Sequence, residues 1–282
     1  MLYRYGVRVG VMSLLRGRIT REVAKNLIVP TNYWRSLEFR LAFEELHASA
    51  NDRILDVGSP KLLSLYLADR IGADVYSTDI EPYFIDDYTA FRKFLKVPEN
   101  RFHAMVADGR TLPFDDGYFS RIFSVSVVEH IPDHGDSECL RELARTLSRG
   151  GICVLTVPFA PESRNEYKDK DSFYWSANVT AEEPSEGTFF QRRYSERDLH
   201  TRLIEPSGLE AVKIQYLGDR VSFSDGKEFS EYLPLLLGPL HPLASRLFHA
   251  IPSLSWQDPT GCRLACTAVR LWKSPGRSWL IL

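Results

Sequence analysis

Three carboxylates in the first half of the chain stand within or directly after short apolar runs. Asp56 lies in the first run, Asp79 closes the second and Asp108 closes the third. Short apolar runs that end in turn residues are typical of buried parallel strands. In sheets of this kind, ligands bind beside the carboxyl ends of the strands. A carboxylate there can accept hydrogen bonds from both vicinal hydroxyls of a ribose, so the pattern predicts a nucleotide-type cofactor site at Asp79.

The elements that must position these carboxylates alternate between strand and helix. Apolar runs predict strands at 54–57, 73–78, 102–107, 121–128 and 152–157, and helical patterns predict helices at 60–71, 83–95 and 137–147. The last of these helices is predicted to stop at the pair Gly150-Gly151. Repeated strand–helix units predict an α/β fold with a mainly parallel sheet.

Composition sets limits on the class of protein. The chain has 282 residues, of which 44% are hydrophobic and 26% charged, which is typical of a globular protein with one elaborated domain. The net charge of −2 gives no overall attraction to nucleic acid, so we predict no nucleic-acid partner. The four cysteines show no zinc-binding spacing, and the N-terminus shows no secretory signal. A cytoplasmic protein is therefore predicted.

Four segments in a fixed order resemble one known family. They are LDVG at 55–58, STDIEP at 77–82, ADGRTLPFDDGYFS at 107–120, and SVVEHI at 126–131 followed by LSRGG at 147–151. Together they resemble the core of class I S-adenosylmethionine-dependent methyltransferases of the small-molecule and lipid type. The resemblance implies S-adenosyl-L-methionine as cofactor and a Rossmann-like seven-stranded sheet in the order 3-2-1-4-5-7-6, with helices on both faces. The sixth and seventh strands, one of them antiparallel, would lie at 209–217 and 262–272, after a helix at 195–204.

The resemblance also assigns eight residues to the cofactor. They are Asp56, Gly58 and Ser59 in the turn under the methionine portion, Asp79 at the ribose, Ile80 beside the adenine, Asp108 and Gly109 at the adenine amino group, and Ser126 near the methionine end. A second interpretation stays open for Asp79 and Asp108, because aspartate is also common in turns that bind no ligand.

The turn after the first strand departs from the family pattern. The family has an acidic residue followed by three alternate glycines, whereas Pro60 and Leu62 replace the last two here. Proline has no N–H to donate, and leucine adds bulk where the backbone would approach a ligand. Lys61 either pairs with a carboxylate or points to solvent. A catalytically degenerate cofactor-binding protein is therefore an alternative, whereas the absence of G-x-G-x-x-G disfavours a nicotinamide oxidoreductase.

Two histidines follow the fourth predicted strand and are candidate catalytic bases. Methyl transfer is an in-line displacement that depends on alignment, and a hydroxyl acceptor benefits from a base whose pKa is near 7. His130 and His134 are placed for this role, although His130 has the alternative role of positioning a loop. Pro132 and Gly135 interrupt any regular helix face, so no metal site is predicted. We predict methyl transfer to a small-molecule or lipid-linked acceptor, at oxygen.

The predicted domain organisation has a core and two insertions. It comprises an N-terminal helical cap at 1–50 and a methyltransferase domain at 51–282, with a lid at 159–194 and a hydrophobic helical insertion at 219–261. In the cap, 31–50 predicts a helix whose N-cap is Thr31 or Asn32. In the lid, Arg192 and Arg193 either recognise an anionic acceptor or are surface charges.

Two segments raise the question of a membrane. Residues 1–29 carry six basic residues against Glu22 alone, a local charge of +5, with apolar residues at helical spacing. They predict either a helix on an anionic membrane or acidic substrate, or a packed helix with a solvated basic face. Residues 232–251 are apolar and would cover a lipid-like acceptor, touch a membrane, form a homodimer interface or pack on the sheet. A membrane-associated partner protein on a methyltransferase scaffold is thus a further alternative.

Overall fold

The structure of the protein is a computed structural model that describes residues 1–169, 179–180, 187–219 and 263–274, together with residues 240 and 243. The predicted insertion 219–261, including its segment 232–251, lies outside the described residues apart from 219, 240 and 243. Part of the predicted lid, at 170–178 and 181–186, also lies outside them.

A seven-stranded sheet forms the centre of the molecule. The strands of the described chain are β1 (Arg53–Val57), β2 (Asp74–Asp79), β3 (Phe102–Val106), β4 (Phe119–Val125), β5 (Leu147–Pro158), β6 (Arg164–Asp169), β7 (Val179–Thr180), β8 (Gly187–Arg193), β9 (Glu210–Asp219) and β10 (Arg263–Trp272). The large sheet has the order β3-β2-β1-β4-β5-β10-β9, and β10 is antiparallel to both neighbours. The predicted order 3-2-1-4-5-7-6 is therefore confirmed.

Helices cover both faces of this sheet. They are α1 (Leu2–Leu14), α2 (Arg21–Ile28), α3 (Tyr33–Leu46), α4 (Leu62–Tyr66), α5 (Ile85–Phe94), α6 (Gly135–Thr146), α7 (Glu196–Asp198) and α8 (Glu205–Ser207). The π-helical turn Leu67–Ile71 extends α4, and Leu199–Ile204 joins α7 to α8. The side chain of Asn32 accepts the N–H of Arg35 at 2.8 Å, so Asn32 is the N-cap of α3. No helix of the described residues is long and apolar enough to cross a bilayer.

Successive residues of the central strands pack into two different hydrophobic cores, one on each face of the sheet. Ile54 packs with the core under α1 to α5, whereas the next residue, Leu55, packs with the core under α6 and the helical segment that follows β8. Side chains of a strand alternate between the two faces, so a strand buried on both faces reads as a continuous apolar run. This explains why 54–57 predicted a strand without any alternation of polar residues.

Two predicted boundaries were wrong. β4 ends at Val125 rather than 128, because Ser126 adopts a left-handed conformation with φ of 50° and breaks the strand. β5 begins at Leu147 rather than 152, directly after α6, which ends at Thr146, one residue before its predicted end. Lys273 supplies the missing stop signal, since its ammonium donates to the carbonyl oxygens of Ala144 and Leu147 at 2.6 and 2.7 Å.

The segment after β5 forms a small antiparallel sheet in the order β7-β6-β8. The two arginines of β8 are held within the fold: Arg192 Nη1 lies 2.8 Å from Asp136 Oδ2, and Arg193 Nε lies 2.6 Å from Glu166 Oε1. Arg192 is buried, so it is not a surface charge. The Arg192 contact joins the insertion to the start of α6, and the Arg193 contact joins β8 to β6 within the insertion.

Candidate cofactor and acceptor site

Asp56 organises the turn after β1 from beneath. The carboxylate is fully buried and accepts hydrogen bonds from the hydroxyls of Ser64 and Ser77, the latter at 2.9 Å, and from the N–H of Ser59 at 3.2 Å. Burial raises the pKa of Asp56, and these donors oppose that rise. Because the group has no exposed surface, it fixes the shape of the turn rather than presenting an oxygen at the surface.

Gly58 and Ser59 join this turn to β4. Gly58 has φ of 68°, and a Cβ on it would lie 2.4 Å from Val127 Cγ1, so both the conformation and the space exclude a side chain. The hydroxyl oxygen of Ser59 accepts the N–H of Val125 at 2.7 Å, and Ser59 is fully buried. Gly58 and Ser59 therefore each have a structural role in the turn that the sequence assigned to the cofactor.

Lys61 pairs with carboxylates, which settles the alternative that the sequence left open. Its ammonium lies 3.3 Å from Asp79 Oδ2 and 3.9 Å from Asp56 Oδ2, and it donates to the carbonyl oxygen of Thr78 at 2.7 Å. The other oxygen of Asp79 accepts the N–H of Glu81 at 3.2 Å. Lys61 is only 2% exposed, so this cation lies inside the strand-end edge of the sheet.

Ile80 and Asp108 lie at the neighbouring strand ends. Ile80 is 61% exposed, which leaves an apolar surface at the end of β2. Asp108 is held by its neighbour Arg110, with Nη2 at 2.7 Å and Nε at 3.1 Å from Oδ2, and this contact lowers the pKa of Asp108. A Cβ on Gly109 would lie 3.0 Å from Cys139 Sγ, so this glycine permits close packing with α6.

The register of β2 and β3 makes Asp79 and Asp108 neighbours. The N–H of Ala107 donates to the carbonyl oxygen of Asp79 at 2.9 Å, directly beyond the last pair of the ladder, Asp79 with Val106. The two predicted carboxylates therefore close adjacent strands of one parallel sheet. A nucleoside lying along this edge would meet both of them.

Ser126, on the other side of β1, belongs to a network of buried hydrogen bonds. The Ser126 hydroxyl donates to Glu38 Oε1, and the Ser126 N–H donates to the carbonyl oxygen of Thr156 at 2.9 Å. The Thr156 hydroxyl also donates to Glu38 Oε1, at 3.1 Å, and Arg35 Nη1 lies 2.7 Å from Glu38 Oε2. Ser126 holds its strained left-handed backbone within this network, as strained residues near sites often do.

His130 has a defined tautomer. Its Nδ1 lies 2.6 Å from the carbonyl oxygen of Phe190, which can only accept, so Nδ1 carries the proton and Nε2 keeps its lone pair. Burial lowers the pKa of His130, so the ring is neutral at pH 7. Glu129 Oε1 lies 3.9 Å from Nε2, and burial raises the pKa of Glu129 to about 8. Among the described residues, Glu129 Oε2 has no hydrogen-bond partner although it is buried.

His134 does not lie beside Glu129 and Phe190 as His130 does. It precedes the first turn of α6 and lines a cavity of about 630 Å³ between the loop 132–134, strands β6 and β8 and the helical segment Leu199–Ile204. The structure therefore brings His130 next to Glu129 but does not bring the two histidines together in this cavity. The described residues contain no group of three His, Cys, Asp or Glu side chains that could hold a metal ion.

Sequence reasoning missed Glu38 and Glu129 as site residues. Glu38 shares a buried helical stripe with Leu41, Ala42 and Glu45. Two acidic residues seven positions apart with apolar residues between them are a signal of buried carboxylates, and this signal was available in the sequence. Glu129 had no comparable signal, because only the local backbone after β4 turns it inward.

Comparison with known proteins decides the family of the central segment. Residues 55–155 match the protein family described as a methyltransferase domain. These residues form a methyltransferase domain of the S-adenosylmethionine-dependent class. The predicted family resemblance, the predicted cofactor class and the predicted Rossmann-like sheet are confirmed for this domain.

Two curated relatives each match about two fifths of the chain. A methyltransferase named GfsG from Streptomyces halstedii is 31% identical over 114 residues, which are 40% of this chain and 40% of the relative. A tRNA U34 carboxymethyltransferase from Syntrophotalea carbinolica is 33% identical over 126 residues, which are 43% of this chain and 37% of that relative. The chain thus spans about two fifths of the length of these relatives.

One solved structure illustrates the shared fold. The geranyl diphosphate C-methyltransferase from Streptomyces coelicolor A3(2), solved with Mg²⁺, geranyl diphosphate and S-adenosyl-L-homocysteine, is 13% identical with a TM-score of 0.52. The match covers 84% of this chain and 79% of that one. At this identity the likeness concerns the fold alone.

Proposed function

We propose that the protein transfers a methyl group from S-adenosyl-L-methionine to a small-molecule or lipid-linked acceptor, at an oxygen atom. The observation that carries the proposal is the pair of carboxylates, Asp79 and Asp108, at the adjacent ends of β2 and β3 within a methyltransferase domain. The ribose hydroxyls would donate to Asp79 and the adenine would pack on Ile80, with its amino group donating to Asp108. Arg110 would then share the Asp108 carboxylate with the adenine.

The residues at this edge fit such a cofactor. Within the described part of the chain, Asp79 Oδ1 accepts the N–H of Glu81, and a carboxylate oxygen that accepts one N–H keeps capacity to accept a ribose hydroxyl. The exposed side chain of Ile80 is apolar and suits an aromatic base. In this proposal Asp56, Gly58 and Ser59 shape the turn, and Ser126 with Glu38 forms the wall at the methionine end.

The cofactor, when bound, supplies a methyl group on a sulfonium that an acceptor atom displaces in line. The protein aligns the acceptor and receives its proton. We assign the proton-accepting role to His130 Nε2, because the Phe190 carbonyl fixes the proton on Nδ1 and burial keeps the ring neutral. His134, which lines the cavity beside β6 and β8, stays a second candidate base.

The insertion that carries β6, β7 and β8 is proposed to cover the acceptor as a lid. Its strand β8 provides the carbonyl of Phe190 to His130, and the Phe190 ring meets the imidazole edge-on at 5.1 Å. An acceptor aligned with His130 would therefore lie beside β8. This placement favours an acceptor of small size or one that enters by a narrow end.

The test is formation of S-adenosyl-L-homocysteine from S-adenosyl-L-methionine in the presence of a panel of hydroxylated small molecules and lipid extracts. Wild type should produce it with at least one acceptor, and Asp79→Ala should lose most of this activity. Asp115→Ala, which removes an exposed carboxylate in the 111–118 link, is the matched control and should behave as wild type. Binding of S-adenosyl-L-homocysteine without turnover on any acceptor would favour the catalytically degenerate alternative.

A second candidate function, contact with a membrane surface, is favoured by one observation on the first two helices. Leu15 and Ile19 are 76% and 82% exposed at the turn between α1 and α2, and Arg4, Arg8 and Arg21 on the same helices are exposed. Exposed apolar groups beside cations suit an anionic lipid surface. Sedimentation with anionic vesicles, lost in Leu15→Glu/Ile19→Glu and absent with neutral vesicles, would support it. No sedimentation of wild type would exclude it.

A further inference from the structure

Lys61 is a buried cation in the middle of the proposed cofactor site. Besides its contacts with Asp56, Thr78 and Asp79, its ammonium lies 4.7 Å from the centre of the Phe84 ring. An ammonium removed from water is costly unless it is paired and hydrogen-bonded. The four contacts together meet this requirement, so the position of Lys61 is specified by the fold.

The charges around Lys61 explain what it does to its neighbours. Asp56 and Asp79 are the two carboxylates of the first strand–turn–strand unit, and the ammonium lies between them. Without Lys61, these two carboxylates would have no ammonium between them, and like charges held close together repel. Lys61 therefore keeps Oδ2 of Asp79 directed inward.

We propose that Lys61 is the positioning residue for ribose recognition, a role that rests on the proposed function. By holding Oδ2 of Asp79, it turns Oδ1 toward the place where ribose hydroxyls would lie. Preorganised groups bind more tightly because less ordering is required on binding. Pro60 removes one backbone N–H from this turn, and the Lys61 side chain supplies a charged donor in the same turn. A side-chain contact thus performs an orienting role in a turn that lacks two glycines.

The experiment is a double-mutant cycle on S-adenosyl-L-homocysteine binding, measured by calorimetry for wild type, Lys61→Met, Asp79→Asn and the double variant. Loss of the charged contact should weaken binding by about tenfold or more in Lys61→Met. In the Asp79→Asn background the same change should cost less than about threefold, because Lys61 acts through Asp79. Lys213→Met is the matched control, since it removes an ion pair with Glu45 away from this site and should leave binding unchanged.

A ligand without ribose hydroxyls separates positioning from general support of the fold. The 2′,3′-dideoxy analogue of S-adenosyl-L-homocysteine should bind wild type and Lys61→Met with similar affinity. Equal losses for both ligands, or equal losses with and without Asp79, would overturn the role. If Lys61→Met does not fold, Lys61→Gln keeps a donor for the Thr78 carbonyl and carries the same test. No binding to wild type would instead refute the proposed function, so the two failures are distinguishable.

Discussion

Replacing Asp136 by alanine should destabilise the protein strongly, because this carboxylate joins the insertion to the start of α6. Asp136 Oδ2 accepts from Arg192, Tyr194 and Arg202 at 2.8 to 2.9 Å, and Oδ1 accepts from Arg202 and from the N–H of Ser137, both at 2.8 Å. The carboxylate is fully buried and the Arg192 side chain is 8% exposed. Removing one partner of a buried ion pair costs about 3–5 kcal/mol, since the other charge stays buried.

Scanning calorimetry measures this cost as a change in the unfolding temperature. At about 2–4 °C per kcal/mol, Asp136→Ala should lower that temperature by about 6–20 °C. The matched control is Asp116→Ala, which breaks a pair of equal length, 2.8 Å to Arg145, whose carboxylate is 81% exposed. Exposed pairs contribute about 0–1 kcal/mol, so the control should shift by no more than a few degrees. Similar shifts in the two variants would refute the reasoning from burial.

Three further predictions concern the strand ends. Gly58→Ala should lower the free energy of unfolding in urea by about 2–5 kcal/mol, because an alanine there is strained at φ of 68° and its Cβ overlaps Val127. Adding Val127→Ala should remove the overlap and recover that part of the loss, whereas the part due to backbone strain should stay. Since burial raises the pKa of Glu129 from its ordinary 4.5 to about 8, the folded state binds its proton more tightly and wild-type stability should fall as pH rises through that window. Glu129→Gln should not show this fall in stability. If the melting temperatures of wild type and variant change in parallel with pH, the prediction is contradicted. If His130 receives the acceptor proton, activity should decline only below pH 6.5, since burial lowers the pKa of His130 beneath that ordinary value; a midpoint above it would exclude the assignment.

The central strands and the strand-end carboxylates could be predicted because their signals are local, whereas the order of the sheet was implied by the family resemblance. A buried strand, a turn residue and a carboxylate at Asp79 are read from neighbouring positions, and the parallel sheet then brings its strand ends to one edge. The N-cap of α3 was predicted to within one residue for the same reason. The roles of the eight predicted cofactor residues and of both histidines remain predictions.

The remaining features depend on contacts between distant parts of the chain. Lys61 meets the carbonyl of Thr78, 17 residues on, and Ser126 meets Glu38, 88 residues back. No periodicity relates such pairs, so the sequence left Lys61 with two interpretations. The end of α6 depends on a similar contact, because the ammonium of Lys273, which follows β10, donates to the carbonyl oxygen of Ala144. Pairings of this kind are fixed by the packed fold.

The most direct test of the central claim is calorimetric titration of the protein with S-adenosyl-L-homocysteine, with Asp79→Ala in parallel. We predict micromolar binding to wild type and a loss of roughly 10–150-fold in the variant, the range expected for one charged hydrogen bond. No binding to wild type at millimolar ligand would contradict the account, as would equal binding by both proteins. In either case the edge formed by β1, β2 and β3 would not be the cofactor site.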